Sequence, residues 1–68
     1  MLQVRERAAQ AQEELLRAAG VGRVLGISTR SVWRLLASDD RFPKPVRLRG
    51  SIVRWRRSEI DSYISLLA

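Results

Sequence analysis

The stretch from Gly22 to Leu35 places the tightest demand on the fold. Gly22 stands four residues before Gly26, and Val32 and Leu35 stand six and nine residues after it. Two helices crossing steeply over a turn of about three or four residues need a small residue at the crossing, a turn residue that tolerates positive φ, and apolar anchors on the second helix. Gly22, Gly26 and the trio Ile27, Val32 and Leu35 supply these in order. Ser28 is placed to cap the second helix, because its hydroxyl can accept a backbone N–H that the helix leaves orphaned. In "TRSVWRLLA" Val32, Leu35 and Leu36 make one apolar face, with Thr29, Arg30, Ser31 and Arg34 off it. This helix should stop near Ser38, ahead of "DDRFPKP".

Pro43 and Pro45 cannot occupy a helix interior and push their preceding residues toward extended geometry. In "VRLRGSIVRW" the alternation puts Val46 and Leu48 on one face and Arg47 and Arg49 on the other. A turn centred on Gly50 follows, then Val53 and Trp55 face inward and Arg54 outward, which predicts a hairpin with one greasy and one cationic face. Ile60, Tyr63, Ile64 and Leu67 then recur at the spacing of a core-facing helix that ends the domain. At the other end, Leu2 to Ala19 has high helix propensity, with Met1, Val4, Ala8, Ala11 and Leu15 in one thin stripe. Three readings of that stripe stand: an amphipathic extension packed on its own domain or fraying, a dimerisation helix, or disorder. Gly20 and Gly22 interrupt the helical run, marking either a boundary or a close packing contact. The expected division is a helical extension over 1–14 and one domain over 15–68.

A chain of 68 residues buries only about 60% of its unfolded surface, so its core must be small. Its net charge of +6 favours a polyanionic partner. The charge is uneven: Arg41, Lys44, Arg47, Arg49, Arg54, Arg56 and Arg57 follow one another with no Asp or Glu between them. Absence of Cys and His removes disulfides, zinc fingers, thiol or imidazole nucleophiles and the commonest general base, which argues against an enzyme and against a metal or other cofactor. No apolar run approaches the roughly 20 residues of a membrane span, and "MLQVRERAAQAQEELL" is too polar for a signal peptide. A reducing, cytoplasmic compartment is the expected location.

Four pieces carry a family resemblance: the turn "LGIS" from Leu25, "SVWRLL" in the second helix, "RFPKPVRL" before the hairpin, and "VRWRRSEID" entering the last helix. Together, across Leu15 to Ile64, they resemble the AlpA-type and excisionase family of small winged-helix DNA-binding proteins, relatives of the MerR-type head. The resemblance implies a mainly α fold with a small β-hairpin wing, a winged helix-turn-helix. It also implies a transcription regulator of a prophage or integrative element, or a recombination directionality factor that bends DNA so that an integrase excises. Arg17 and Arg56 depart from the pattern, standing where a capping Thr, Ser or Asp is common, and residues 1–14 lie outside it.

Double-stranded DNA is therefore the expected partner. The major groove admits one α-helix, whose N-terminal residues lie closest to base edges. That selects Ser28, Thr29, Arg30 and Ser31, with Arg34 one turn later. Arg30 can pair with guanine through two hydrogen bonds, worth about 1 to 3 kcal/mol of discrimination. Trp33 has two readings, packing over sugar-phosphate or against the wing. Arg47, Arg49 and Arg54, with Gly50 and Ser51 at the turn, form a wing for the adjacent minor groove or its phosphates; edge protection of a solvated hairpin is the competing reading. Lys44, Arg56 and Arg57 read as phosphate contacts. Asp39 and Asp40 form a helix-end turn in preference to a metal-dependent nuclease site. An interface of about 600 to 1,000 Å² gives limited specificity alone, so several copies should bind repeated sites cooperatively. The absence of a sensor domain and of an evident long dimerisation helix leans the reading toward an excisionase-type directionality factor over an AlpA-type transcription regulator, with an integrase as a further partner. A protein-interaction module with a basic docking face is the alternative of a different class.

Overall fold

The computed structural model describes residues 14–67. In chain order these form β1 (Leu15–Leu16), α1 (Ala18–Leu25), α2 (Thr29–Ser38), β2 (Val46–Arg49), β3 (Ile52–Arg56) and α3 (Arg57–Leu67). The three helices and one small antiparallel sheet make a winged helix-turn-helix, mainly α with a β wing.

The α1–α2 corner is built on two glycines. Gly26 has φ 74° and ψ 32°, a left-handed conformation that costs an L side chain about 1 to 2 kcal/mol. Its N–H and that of Ile27, the latter at 2.9 Å, both donate to the Gly22 carbonyl and close the end of α1. Gly22 is buried where α1 meets the turn, and a β-carbon there would lie 2.6 Å from the Ile27 carbonyl oxygen. The close-packing reading of Gly22 therefore holds. Both Gly20 and Gly22 lie inside α1, and neither ends it.

Each of the three helices, strand β3 and the α2–β2 connection contributes to one core: Val21, Val32, Phe42, Trp55, Ile60 and Tyr63 are buried. Burial of side chains this size stabilises by about 1.5 to 3 kcal/mol each. Trp55 is completely enclosed, as its register with Val53 predicts, and its Nε1–H donates to the Pro43 carbonyl at 2.9 Å. Phe42 packs edge-on against Trp55 and Tyr63, with ring centroids 6.4 and 5.0 Å away. The Phe42–Pro45 crossover is thus wedged into the domain, and it satisfies the buried Trp55 indole N–H.

Four expectations need correction. The helix expected through Ala19 does not include Leu15 and Leu16, which form β1 and pair antiparallel with β3, Leu15 opposite Arg56 and Leu16 opposite Trp55. Arg57 N–H donates to the Glu14 carbonyl at 2.8 Å and extends that pairing, so the edge of β3 overrides the local helix propensity. The rest of the expected extension, residues 1–13, lies outside the described residues.

The second correction concerns the hairpin faces. Val46 lies opposite Arg54 and Arg47 opposite Val53; residues directly opposite share a sheet face, so each face carries both apolar and cationic residues. Third, the register then slips, with Arg49 opposite Ile52, leaving Leu48 as the extra residue of a β-bulge. Leu48 is exposed rather than inward, whereas Arg54 is half-buried rather than outward. Fourth, the apolar stripe of α3 buries only Ile60 and Tyr63. Ile64 and Leu67 are exposed because the last turns of α3 run past the small core.

Candidate nucleic-acid interface

The first turn of α2 is held by its cap. Ser31 N–H donates to Ser28 Oγ at 3.1 Å, and the Ser28 hydroxyl donates to Ser31 Oγ at 3.0 Å. These two hydroxyls fix the helix start, while Thr29 and Arg30 project from it into solvent. No acid occupies the first turn, so the positive end of the helix dipole is unopposed there. Val32, on the opposite side, is buried in the core and sets which face of α2 is free. Arg34 is exposed one turn beyond Arg30.

Trp33 touches the wing strand without being buried by it. Its ring meets Trp55 edge-on, centroids 5.3 Å apart at 63°, so it packs against the strand that carries the wing. It nevertheless remains 43% exposed and keeps part of the indole on the surface beside Arg34.

The far end of α2 is locked to α3. Asp39 caps the helix, and one carboxylate oxygen accepts the Arg41 N–H at 2.9 Å, with the Arg41 guanidinium at 3.5 Å. Its other oxygen accepts the Tyr63 hydroxyl at 2.8 Å. Asp39 thus serves the helix-end turn. The Arg41 backbone N–H, then the Tyr63 hydroxyl, hold its carboxyl below the usual aspartate range. Burial, then the adjacent carboxylate, push the Tyr63 phenol upward.

In the wing, Gly50 turns the chain with φ 53°, and the Arg47 guanidinium donates to the Gly50 carbonyl at 3.2 Å. Arg54 donates to the Val53 carbonyl at 2.8 Å. Arg49, Gly50 and Ser51 are exposed at the tip, and Lys44 and Arg56 are exposed on either flank of the hairpin sequence. None of Arg30, Arg34, Lys44, Arg47, Arg49, Arg54 or Arg56 is ion-paired to a carboxylate among the described residues. Arg57 differs. Its guanidinium lies 3.3 Å from Glu14 and 3.3 Å from Asp61, so its charge is locally neutralised and its geometry is committed to joining β1 to α3. Two further exposed cations, Arg17 and Arg23, lie at the start of α1 and within it, and neither was among the expected contact residues. Arg17 stands at the N-cap of α1 without a side-chain capping hydrogen bond.

This arrangement, a helix with a free polar face followed by a cationic wing, has a counterpart among known families. Residues 14–66 match the family model described as prophage CP4-57 regulatory protein (AlpA). The chain belongs to this family. AlpA-type proteins are small DNA-binding regulators, not a family of enzymes, and the match covers every element from β1 to all but the last residue of α3. Comparison with curated proteins and with solved structures returns no match. No helix among the described residues is long and apolar enough to cross a membrane.

Proposed function

We propose that this AlpA-family protein reads a specific duplex sequence, with α2 in the major groove and the β2–β3 wing on the adjacent minor groove. In this reading Thr29, Arg30 and Arg34 meet base edges or phosphates, Ser28 and Ser31 set the helix start, and Trp33 covers the sugar-phosphate edge. Arg47, Arg49, Gly50, Ser51 and Arg54 form the wing contact, and Lys44 and Arg56 hold phosphate. Arg57, paired with Glu14 and Asp61, supports the fold in place of the phosphate contact expected of it. The observation that carries the reading is the unopposed charge of α2 and the wing: among the described residues their cations face no carboxylate, while Arg41 and Arg57 do. A polyanion supplies the missing counter-charge, and the major groove fits the helix that presents it.

The finer role we assign is that of an excisionase-type directionality factor, binding repeated sites cooperatively, bending them, and acting beside an integrase. Its support is the small size of the interface, which limits what one copy can specify. The family description favours the second reading, a transcription regulator of a prophage. Selection from a random duplex pool at near-physiological salt, with bending of the winners scored by circular permutation, tests both. A short motif in direct repeats with strong bending is expected. A single or inverted motif without bending would give the regulator reading, and no enrichment with salt-labile binding only would overturn sequence-specific recognition.

A further inference from the structure

The wing tip carries a feature that phosphate binding does not use. Leu48 is 54% exposed and Ile52 is 44% exposed, on the two strands beside the Gly50 turn. A β-bulge puts two residues of one strand opposite one of the other, so Leu48 and Arg49 together face Ile52. Exposure of two large aliphatic groups at the end of a hairpin in so small a chain stabilises nothing in the free protein.

Their surroundings identify an occupant. Arg47, Arg49 and Arg54 flank the pair, and no Asp or Glu occurs from Arg41 to Arg57. An apolar protein surface would leave these cations without partners. The minor groove offers phosphates at both rims, a negative potential that attracts arginine, and apolar base faces wherever a step opens. The tip is a tight turn: Gly50 is left-handed, and the Arg47 guanidinium bonds its carbonyl at 3.2 Å. An apolar point between cations is the form of a side chain that unstacks a base step.

We propose that Leu48, backed by Ile52, is a wedge that enters the minor groove and partly unstacks one base step, kinking the duplex while the flanking arginines hold its phosphates. The proposal rests on the DNA-binding reading above, and adds to it the residue that deforms the DNA. Flexible pyrimidine–purine steps are the expected point of entry, since they open most easily.

The test uses the full chain and a duplex of its selected site carrying 2-aminopurine at each pyrimidine–purine step in turn. Wild-type protein should raise emission at one step, reporting lost stacking. Leu48→Ala should abolish that rise and weaken binding to intact duplex by roughly tenfold, because the contacts that only the kinked duplex offers are no longer made. The same variant should bind within about twofold of wild type when a mismatch at that step has already opened it. Leu48→Met should keep the rise. Since Leu48 is outside the core, an unchanged circular dichroism spectrum is expected for both variants. Duplex binding by wild type with no step unstacked, or an unchanged rise with Leu48→Ala, overturns the wedge and leaves the DNA-binding reading standing. Loss only of cooperativity between adjacent sites would assign Leu48 to contact between copies and also overturn the wedge. Failure of wild type to bind any duplex overturns both readings.

Discussion

A β-carbon on Gly22 would sit 2.6 Å from the carbonyl oxygen of Ile27, closer than two such atoms can approach. The blocking atom is backbone, so the α1–α2 corner itself would have to move. Gly22→Ala should therefore lower stability by about 1 to 3 kcal/mol, the range for overpacking, despite alanine's better helix propensity. Gly20 is the control. Its added β-carbon would meet Leu16 side-chain carbons at 3.6 Å, an ordinary contact, so Gly20→Ala should gain up to about 1 kcal/mol. Thermal melts of the two variants should move in opposite directions.

The Asp39–Tyr63 hydrogen bond makes the α2–α3 junction sensitive to pH at both extremes. The folded state holds Asp39 below its ordinary value, so its contribution is present above the unfolded value near 3.9 and is lost as pH falls through the depressed folded value. Tyr63 is raised, so its contribution is complete below about pH 10 and is lost as pH climbs through the elevated folded value. Stability should be flat with respect to this pair between those limits. Denaturant titrations of Asp39→Asn should show a shallower acid loss, and those of Tyr63→Phe a shallower alkaline loss.

Elements whose causes are local were legible. The cap at Ser28, the apolar face led by Val32, the left-handed Gly26 and the boundary at Ser38 all follow from residues within a turn of one another. β1 was not, because Leu15 and Leu16 are extended only through pairing with Arg56 and Trp55 at the other end of the chain. The wing faces were misread for a related reason: a strict alternation of two cannot anticipate the bulge at Leu48. In the interface, residue type told which groups are cationic, but not which are neutralised. Arg57 looked equivalent to Arg56 until the fold brought Glu14 to it from 43 residues away.

Removal of the α2 cap separates stability from recognition. Ser28→Ala deletes the acceptor for Ser31 N–H, and should cost about 1 kcal/mol. Ser28→Asp restores an acceptor and should recover most of that stability. On DNA the aspartate should be worse than the alanine, since it places a carboxylate at the helix end proposed to enter the groove. Equal DNA affinity for the two variants would remove this end of α2 from the interface.

Arg49 and Arg57 provide the sharpest division between contact and scaffold. Arg49 is exposed and has no carboxylate partner among the described residues, whereas Arg57 bridges Glu14 and Asp61. If Arg49 neutralises a phosphate, Arg49→Ala should leave the melting midpoint almost unchanged and reduce the slope of log affinity against log salt by about 0.9. Arg57→Ala should do the reverse. Its exposed ion pairs are worth about 0.2 to 1 kcal/mol each, so the midpoint should fall by a few degrees while the salt slope stays near wild type. Binding isotherms across a salt series, set beside thermal melts, read both quantities from the same preparations. A salt slope that dropped equally for both would place Arg57 on phosphate after all, and its two carboxylates would then have to release it when DNA binds.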